Sequence, residues 1–399
     1  MNVHINKLFA IASKQERQII GLMSGTSMDG LDIAWCSCSG SGPSTKIIIQ
    51  RFTTVPFSSA FRDEIKSIFS NRNADLQTVC ILNELIGQRH AKMILDTLED
   101  WAISPSEIDV IASHGQTIFH APKKLHAIKD YPNATLQIGD GDHIAVKTGI
   151  ITLCDFRQKH LAAGGEGAPL AVYGDFLIFS KQGENRIMLN IGGISNFTYL
   201  PADLDASKVF STDIGPGNTM MDQFIQQKYP GTYYDQDSKL SSLGEIQSDL
   251  LLALADHEFL RSGFPKTTGP ELFNLSYLES AMNKSGQTQL SNEDVLATLC
   301  KFSADCIVQA ILQSVKSTDQ PVIYMSGGGM HNPLLVQHLK AGIPFVRFST
   351  TIELGIHPDA KEAALFAILA NETLAGGAID FGGRQQVPSV CMGKICLPN

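Results

Sequence analysis

The sequence predicts an α/β protein with two related halves, and three observations support this prediction. Apolar strand-like runs alternate with segments of helical periodicity along the 399 residues. The stretches Ile19–Ser37 and Arg186–Leu200 each read as a strand, a turn rich in glycine and hydroxyl residues, and a second strand. A third glycine turn, within Val322–Leu335, follows a strand and precedes a helix. We interpret the two hairpins as equivalent openings of two halves, a weak repeat of pattern rather than of residue identity.

The individual elements follow from the spacing of apolar residues. The segment Lys46–Phe57 continues a β-meander that begins in the first hairpin. Apolar residues recur at helical spacing in Leu76–Trp101, which predicts a long helix. The segment Ile108–His120 is predicted to be a short buried strand that ends in polar residues. Asn218 is expected to cap the helix that follows a Gly-Pro-Gly turn.

Bulk composition limits the class of protein. Hydrophobic residues make up 43% and charged residues 18% of the chain, so a sizeable core is expected. The formal net charge is −9 without any basic block, so no nucleic-acid surface is expected. No signal-peptide core and no run of about 20 apolar residues occurs, which predicts a cytoplasmic protein without a membrane partner. Eight scattered cysteines without a CxxC motif are expected to be reduced thiols, many of them buried.

The glycine turns are candidates for phosphate binding. Glycine has no Cβ atom, so a ligand can approach the backbone N–H groups, and hydroxyl side chains add donors. The donors of the two hairpin turns are Ser24, Gly25, Thr26, Ser27 and Gly30 in the first and Gly192, Gly193, Ser195 and Asn196 in the second. The two hairpins could grip a polyphosphate between them, although a single glycine turn is more often only a turn. Neither a P-loop motif nor a dinucleotide-binding GxGxxG motif is present.

Carboxylates near these turns point to cation binding and proton transfer. Asp29 and Asp32 lie in and just after the first turn, where they would suit Mg²⁺ beside phosphate; alternatively, Asp29 caps the turn. Asp213, at a predicted strand end, is well placed for a general base or for stabilising a turn. His114 and His120 do not have the spacing of a metal pair, so a hydrogen-bonding contact from His114 to substrate is favoured.

A set of motifs connects the chain with a known family. In order, they are GLMSGTSMDGLDIA, SHGQTIFH, LQIGDG, CDFR, AAGGEGAPL, NIGGISN, DIGPGN, SGGG and KEAALFA, from residue 21 to about residue 370. Together they resemble the anhydro-N-acetylmuramic acid kinase family, in the superfamily of sugar kinases, actin and heat-shock chaperone ATPases. The resemblance implies a two-domain actin-like (ribonuclease H-like) fold with a central cleft. Residues 1–160 plus 371–399 would form one domain and residues 161–370 the other.

The resemblance also implies a reaction. An ATP- and Mg²⁺-dependent enzyme of this family opens the anhydro bridge of 1,6-anhydro-N-acetylmuramic acid with water and phosphorylates O6. The products are N-acetylmuramic acid 6-phosphate and ADP, in the recycling of cell-wall peptidoglycan. The resemblance further implies a homodimer. Two other readings remain open at this point: an ATPase that switches shape, and a kinase of an ordinary sugar hydroxyl whose proton Asp213 removes.

Matching positions give the residues of the implied site. The ATP-binding block comprises Gly25, Thr26, Ser27, Met28, Asp29, Gly30, Leu31 and Asp32, joined by the glycines Gly192, Gly193, Gly327, Gly328 and Gly329. Asp213 matches the catalytic base and Glu362 a carboxylate near the sugar. Residues in blocks near the sugar are His114, Gln116, Thr117, Asp155 and Arg157. The chain departs from the usual motifs at His160, where the family usually has Asp, and at Glu166, where it usually has Gln; activity is expected to survive both changes.

Overall fold

A computed structural model of the chain describes residues 2–25, 28–315, 320–384 and 386–399. The β-strands are β1 Glu16–Ser24, β2 Gly30–Ser39, β3 Lys46–Pro56, β4 Val110–Ala121, β5 Ala134–Ile138, β6 Ile151–Cys154, β7 Arg186–Ile191, β8 Ile194–Leu200, β9 Phe210–Pro216, β10 Val322–Ser326, β11 Arg347–Thr350 and β12 Lys394–Cys396. The α-helices are α1 Val3–Ala12, α2 Ser59–Ile68, α3 Leu76–Asp100, α4 Lys123–His126, α5 Gly141–Thr148, α6 Phe156–Ala162, α7 Ala171–Phe179, α8 Thr219–Lys228, α9 Ser248–Ala255, α10 Glu258–Arg261, α11 Leu275–Ser285, α12 Asn292–Ser314, α13 Pro333–Gly342 and α14 Lys361–Ala375.

The chain forms two compact units. Unit 1 comprises Met1–Phe179, Ala206–Lys208 and Gly355–Asn399, and unit 2 comprises Ser180–Asp205 and Val209–Leu354. The domain boundaries predicted after residues 160 and 370 lie inside α6 and α14, two helices of unit 1. Unit 1 therefore extends beyond the predicted domain at both places, because each helix continues across the predicted boundary.

The two units contain sheets of the same topology. In unit 1 the strand order is β12-β6-β4-β1-β2-β3, and β5 also pairs with β4. In unit 2 the order is β11-β10-β7-β8-β9. In each unit three consecutive strands form an antiparallel meander, and the first of them pairs in parallel with a later strand that itself has a parallel neighbour. The predicted α/β fold with two related halves is confirmed.

Most predicted elements of unit 1 are present with small changes in length. The long helix predicted from Leu76 is α3, and Asp75 caps it by accepting a hydrogen bond from the backbone N–H of Thr78 at 2.8 Å. The predicted short strand is longer than expected: β4 has 12 residues. Its second half pairs with β5, which extends the strand beyond the part that pairs with β1 and β6.

Close packing of α14 on the unit 1 sheet places the start of that helix. A Cβ atom at Gly21 of β1 would lie 2.0 Å from the carbonyl oxygen of Ala363, so any larger residue at position 21 would push α14 away. The helix interior is buried from Ala363 through Glu372. Lys361 and Glu362 are therefore held at a defined place over the sheet, because a rigid helix that carries them packs directly on the strand.

Unit 2 is organised around α12. Side chains of β7, β8 and α12 form one buried core, which includes Leu189, Phe197 and Ile307. Contrary to the sequence-based expectation, α12 is long and apolar enough to cross a membrane, with a mean hydropathy of 1.6 over its most apolar window. Of that window, 78% is buried inside the protein, which is the burial expected of a core helix.

Candidate active site

The first glycine turn is held in place by a side chain from β4. The Ser24 hydroxyl donates a hydrogen bond to Oε1 of Gln116 at 2.5 Å, and Nε2 of Gln116 donates to the carbonyl oxygen of Gly25 at 3.0 Å. The turn therefore begins on a buried strand end and is braced from the neighbouring parallel strand. Thr26 and Ser27, predicted to bind ATP, lie outside the described residues.

Two residues of the predicted ATP-binding block have side chains in the core of unit 1. Met28 and Leu31 are 5% and 1% exposed and belong to the main hydrophobic cluster of this unit. Met28 has a φ of 54°, and its backbone N–H donates to the carbonyl oxygen of Gly25 at 3.2 Å. Any contact of these two residues with a ligand would therefore come from their backbone.

The carboxylates beside this turn influence one another. The Thr54 hydroxyl donates a hydrogen bond to Oδ1 of Asp32 at 2.6 Å. Partial burial raises the pKa of Asp32, and the charges of Asp29 and Asp359 raise it further, against the lowering effect of Thr54. Among the described residues no group of three or more His, Cys, Asp or Glu side chains could hold a metal ion. Mg²⁺ usually keeps several water ligands, so it needs only one or two protein carboxylates when phosphate and water complete its coordination shell. Asp29 and Asp32 therefore fit a magnesium site.

A cavity of about 220 Å³ lies in unit 1, next to the start of α14. Its lining residues are Met23, Arg157, Ala168, Pro169, Leu170, Ala171, Gly174, Asp175, Ile178, Lys361, Glu362, Leu365 and Phe366. Most of the wall is apolar, and two cationic and two anionic side chains project into it. This mixture suits a small ligand that has both an apolar face and charged or polar groups.

Arg157 is held by two neighbours at the edge of this cavity. Its Nε donates a hydrogen bond to Nε2 of His114 at 2.9 Å, and its Nη1 donates to the carbonyl oxygen of Gly167 at 2.7 Å. Burial lowers the pKa of Arg157 to about 10, and the charge of Glu362 opposes that change. The guanidinium group therefore remains charged at neutral pH and keeps a fixed orientation.

His114 lies behind Arg157 and does not line the cavity in the part of the chain that the structure describes. Burial, followed by the charge of Arg157, lowers the pKa of His114 to about 3. The imidazole is thus neutral at physiological pH, and its proton must be on Nδ1 because Nε2 accepts the hydrogen bond from Arg157. In the structure His114 orients Arg157; the predicted contact with the sugar stays a prediction.

Lys361 and Glu362 present opposite charges from the first turn of α14. Nζ of Lys361 forms an ion pair with Oδ1 of Asp175 at 2.7 Å, and Asp175 is buried. Loss of surrounding water raises the pKa of Glu362. The charges of Arg157 and Lys361 oppose this rise, and the charge of Asp32 adds to it. A carboxyl group with a raised pKa in a cavity is a candidate for proton exchange or for hydrogen bonding to a ligand.

The remaining predicted sugar contacts have partners elsewhere in unit 1. Asp155 precedes α6 in a left-handed conformation (φ 57°) and forms an ion pair with Lys394. The Thr117 hydroxyl accepts a hydrogen bond from Nε2 of Gln137 at 3.1 Å. Neither of them lines the described cavity. Of the five predicted sugar contacts only Arg157 lines it, together with the carboxylate Glu362. Asp175 and Lys361 were missed, although Lys361 begins the KEAALFA motif.

His160 and Glu166, the two residues that depart from the usual family motifs, stabilise the loop next to Arg157. Nδ1 of the buried His160 accepts a hydrogen bond from the backbone N–H of Gly167 at 3.0 Å. Burial and the charge of Arg157 lower the pKa of His160 to about 4, so it is a neutral acceptor. Glu166 forms an ion pair with Lys124 at 2.8 Å. These contacts fix the loop whose Gly167 carbonyl accepts from Arg157.

In unit 2 the second glycine turn packs on the start of α8. The backbone N–H groups of Gly217 and Asn218 donate to the carbonyl oxygens of Gly193 and Gly192, each at 2.8 Å. Asn218 occupies the predicted N-cap position, but its side chain does not cap the helix. Instead, its Nδ2 donates to the carbonyl oxygen of Ile191 at 3.3 Å, which ties the helix start to the end of β7.

The third glycine turn meets the second at the carboxyl ends of the parallel strands β7 and β10. A Cβ atom at Gly327 would lie 2.7 Å from both Oδ1 of Asn190 and the carbonyl oxygen of Ile191, and its φ is +81°. Glycine is therefore required there by the structure itself. At Gly192, Gly193 and Gly328 a Cβ atom would have no neighbour closer than 3.5 Å. Those contacts are of ordinary length, so the packing around these three positions does not itself require glycine.

Asp213 lies in the middle of β9 rather than at its end as predicted. Gly215 and Pro216 still pair with β8, after a bulge in the register, so the strand continues past Asp213. The backbone N–H of Thr268 donates to Oδ2 of Asp213 at 2.9 Å. The N–H of Asp213 itself donates to the carbonyl oxygen of Lys266 at 3.0 Å. Asp213 is partly exposed, and these hydrogen bonds hold its carboxylate in a fixed orientation.

The repeated sheet, with glycine turns at the carboxyl ends of parallel strands, puts the chain in the class of α/β enzymes, whose ligands bind beyond those strand ends. A family model described as anhydro-N-acetylmuramic acid kinase matches residues 17–381. The chain belongs to the anhydro-N-acetylmuramic acid kinase family, and it is therefore an enzyme of the phosphotransferase class.

Individual proteins support this assignment. A relative named anhydro-N-acetylmuramic acid kinase from Pseudoalteromonas atlantica (strain T6c / ATCC BAA-1087) is 53% identical, with 100% of both chains covered. One of the same name from Caldanaerobacter subterraneus subsp. tengcongensis is 36% identical over 98% of this chain and 100% of its own. Among solved structures, an activator of 2-hydroxyisocaproyl-CoA dehydratase from Clostridium difficile, with bound ADPNP, aligns with a TM-score of 0.37 at 12% identity. That alignment covers 90% of this chain and 96% of the other, at a similarity too low to carry an argument.

Proposed function

We propose that the enzyme uses ATP to convert 1,6-anhydro-N-acetylmuramic acid into N-acetylmuramic acid 6-phosphate, with water opening the anhydro bridge and O6 accepting the phosphoryl group. The observation that carries this proposal is the mixed cavity of unit 1. The cavity is lined by Arg157 and Lys361 together with apolar residues, which suits a sugar that bears a carboxylate. Such a reaction belongs to the recycling of peptidoglycan fragments.

Asp213 is proposed as the base that removes a proton from the attacking water. A carboxylate in this role must be oriented, and the hydrogen bond from Thr268 provides orientation. The proton passes to Asp213 as the water oxygen forms its bond to C1, and the C1–O6 bond breaks. A positioned base contributes roughly 10²- to 10⁴-fold to the rate. Glu362 is proposed as a second carboxyl group at the sugar, where it can form a hydrogen bond to the ligand; loss of surrounding water raises its pKa.

The glycine turns are proposed to bind the phosphates of ATP. Phosphoryl transfer requires positioning and charge neutralisation more than covalent help from the protein. The backbone N–H groups of the first turn and of Gly192, Gly193 and Gly328 are the proposed donors; at the last three a Cβ atom would meet no heavy atom closer than 3.5 Å. Asp29 and Asp32 would hold Mg²⁺, which when bound neutralises the phosphate charge. We also propose a cytoplasmic homodimer, testable by light scattering during size-exclusion chromatography.

The test is mass spectrometry of the sugar product formed in ¹⁸O-water. Purified protein is incubated with Mg-ATP and the anhydro sugar. A 6-phosphate that carries one ¹⁸O atom at C1 is expected, because water supplies the oxygen that replaces the bridge. A phosphorylated product without the label would exclude water as the nucleophile. Phosphorylation of an ordinary sugar hydroxyl alone would overturn the proposed substrate.

A further inference from the structure

Two thiols from different strands meet in unit 1. The Sγ atoms of Cys154, at the end of β6, and Cys396, at the end of β12, lie 3.6 Å apart. Both residues are half-buried, so small oxidants can reach them. By contrast, Cys36, Cys38 and Cys300 are fully buried. The site reactions proposed above use none of these thiols.

The strand register explains why these thiols meet. In the antiparallel pair, Lys394 lies opposite Cys154 and Cys396 lies opposite Thr152, so the two cysteines are diagonal neighbours. Gly141 leaves room for both: a Cβ atom there would lie 2.6 Å from Sγ of Cys154 and 2.9 Å from Sγ of Cys396. A disulfide requires sulfur atoms about 2.0 Å apart, which a small shift can provide. The three-residue edge strand β12 has one strand neighbour, so it can make that shift.

The two thiols are chemically different. The hydrogen bond between the two thiols lowers the pKa of Cys154 and raises the pKa of Cys396. Cys154 is therefore the thiol that loses its proton more readily and reacts first. Cys396 is the thiol that reacts second. Reactive cysteines that are paired with a second cysteine have this asymmetry.

We propose that Cys154 and Cys396 are a reversible modification site, in which hydrogen peroxide converts the two thiols into a disulfide. The Cys154 sulfur attacks one peroxide oxygen, the O–O bond breaks, and a sulfenic acid forms with release of one water. The Cys396 sulfur then attacks the oxidised sulfur, the S–O bond breaks, and a second water leaves. The two thiols are oxidised and one peroxide is reduced to two waters. A small dithiol reductant reverses the reaction by exchange.

The modification site is coupled to the sugar cavity by short covalent connections. Asp155 follows Cys154 directly, pairs with Lys394 and precedes α6, whose first turn carries Arg157. Closing the disulfide moves β12 against β6 and shifts the Asp155–Lys394 pair. We therefore expect oxidation to raise the KM for the sugar several-fold and to leave the KM for ATP unchanged. This consequence depends on the sugar-binding role proposed for Arg157.

The test is peptide mapping of the purified full chain after exposure to hydrogen peroxide and alkylation of the remaining thiols. A cross-linked peptide that joins Cys154 to Cys396 is expected, and dithiothreitol should restore both thiols. Cys154→Ser and Cys396→Ser should abolish the cross-link, whereas Cys80→Ser, at an exposed cysteine, should not change it. Absence of the cross-link, with Cys154 alkylated or singly oxidised, would overturn the proposal.

Kinetics separate this inference from the proposed function. The reduced protein should phosphorylate the anhydro sugar, and failure to do so would contradict the proposed function and not the thiol site. A cross-linked protein with an unchanged sugar KM would overturn the coupling to Arg157. A raised sugar KM in the oxidised wild type that is absent from oxidised Cys396→Ser would support it.

Discussion

The two units share one sheet topology but build their glycine turns by different means. In unit 1 the turn after β1 is braced by side chains, through Ser24 and Gln116. In unit 2 the turn after β7 is braced by backbone groups of the next helix, through Gly217 and Asn218. The same strand order therefore does not dictate how a turn is supported. It dictates where the turn lies, beyond the ends of the parallel strands.

The chemical groups are also divided between the units. Unit 1 carries the cavity with Arg157, Lys361 and Glu362, whereas unit 2 carries Asp213 and the open glycine positions. Unit 1 should thus determine affinity for the sugar. Unit 2 should determine turnover, and both units should contribute glycine turns to the binding of ATP.

The largest effect is expected from Asp213→Asn in unit 2. The amide can still accept the hydrogen bond from Thr268 but cannot remove a proton, so kcat should fall by roughly 10²- to 10⁴-fold with little change in either KM. Steady-state kinetics would measure this, with the exposed Asp237→Asn as the control in the same unit. Retention of more than about a tenth of kcat would mean that a different group acts as the base.

A smaller effect is expected when the open side of the second turn is filled. Gly193→Val adds a side chain where a Cβ atom has no neighbour within 3.5 Å, so the fold should persist while the KM for ATP rises about tenfold or more. The sugar KM should stay within about twofold. Gly263→Val, at an exposed glycine of the same unit with nothing nearby, is the matched control. An unchanged ATP KM would remove this turn from the phosphate site.

In unit 1 the corresponding change is Lys361→Ala. Removing one cation from the cavity should raise the sugar KM about tenfold, the loss expected for one charge-assisted contact, and leave the ATP KM unchanged. The exposed Lys159→Ala on α6 tests for a general effect of charge. If the two substrates' KM values rose together, the assignment of Lys361 to the sugar alone would be wrong.

The smallest effect concerns acid stability, where the units again differ. His90, His114 and His160 of unit 1 are buried, and burial lowers their pKa values to about 4, 3 and 4. No histidine that the structure describes in unit 2 is buried to that extent. Because the unfolded chain binds protons to these groups below about pH 6.5, the free energy of unfolding should decrease as the pH falls from about 6.5 toward 4.

Urea unfolding at several pH values would measure this decrease. His90→Leu should reduce the loss of stability between about pH 7 and pH 5 by about 2 kcal/mol, because it removes one group that the unfolded chain protonates more readily than the folded chain. His331→Leu, at an exposed position in unit 2, should not reduce it. Equal pH slopes in the wild type and His90→Leu would show that this histidine binds protons equally in the folded and unfolded states, against a pKa lowered by burial.

Much of the fold could be predicted because local patterns and topology agree. The helix at Leu76 and the strand at Lys46 follow from periodicity and capping alone. The extent of β4 could not be predicted, because its second half depends on pairing with β5, which is decided by a partner distant in sequence. The domain boundary predicted after residue 370 lies inside α14, a helix of unit 1. That helix belongs to unit 1 because it packs on Gly21, a residue distant in sequence.

The sequence by itself determined the class of the protein and its chemistry-bearing turns, because glycine spacing, hydroxyl residues and motif order are local properties. Only the tertiary structure decided which side chains share a cavity. It put Lys361 on Asp175, set His114 behind Arg157, and brought Cys154 to Cys396 across two strands. These contacts join residues far apart in the chain, and the burial that lowers the pKa values of His114 and Arg157 is a property that no sequence window contains.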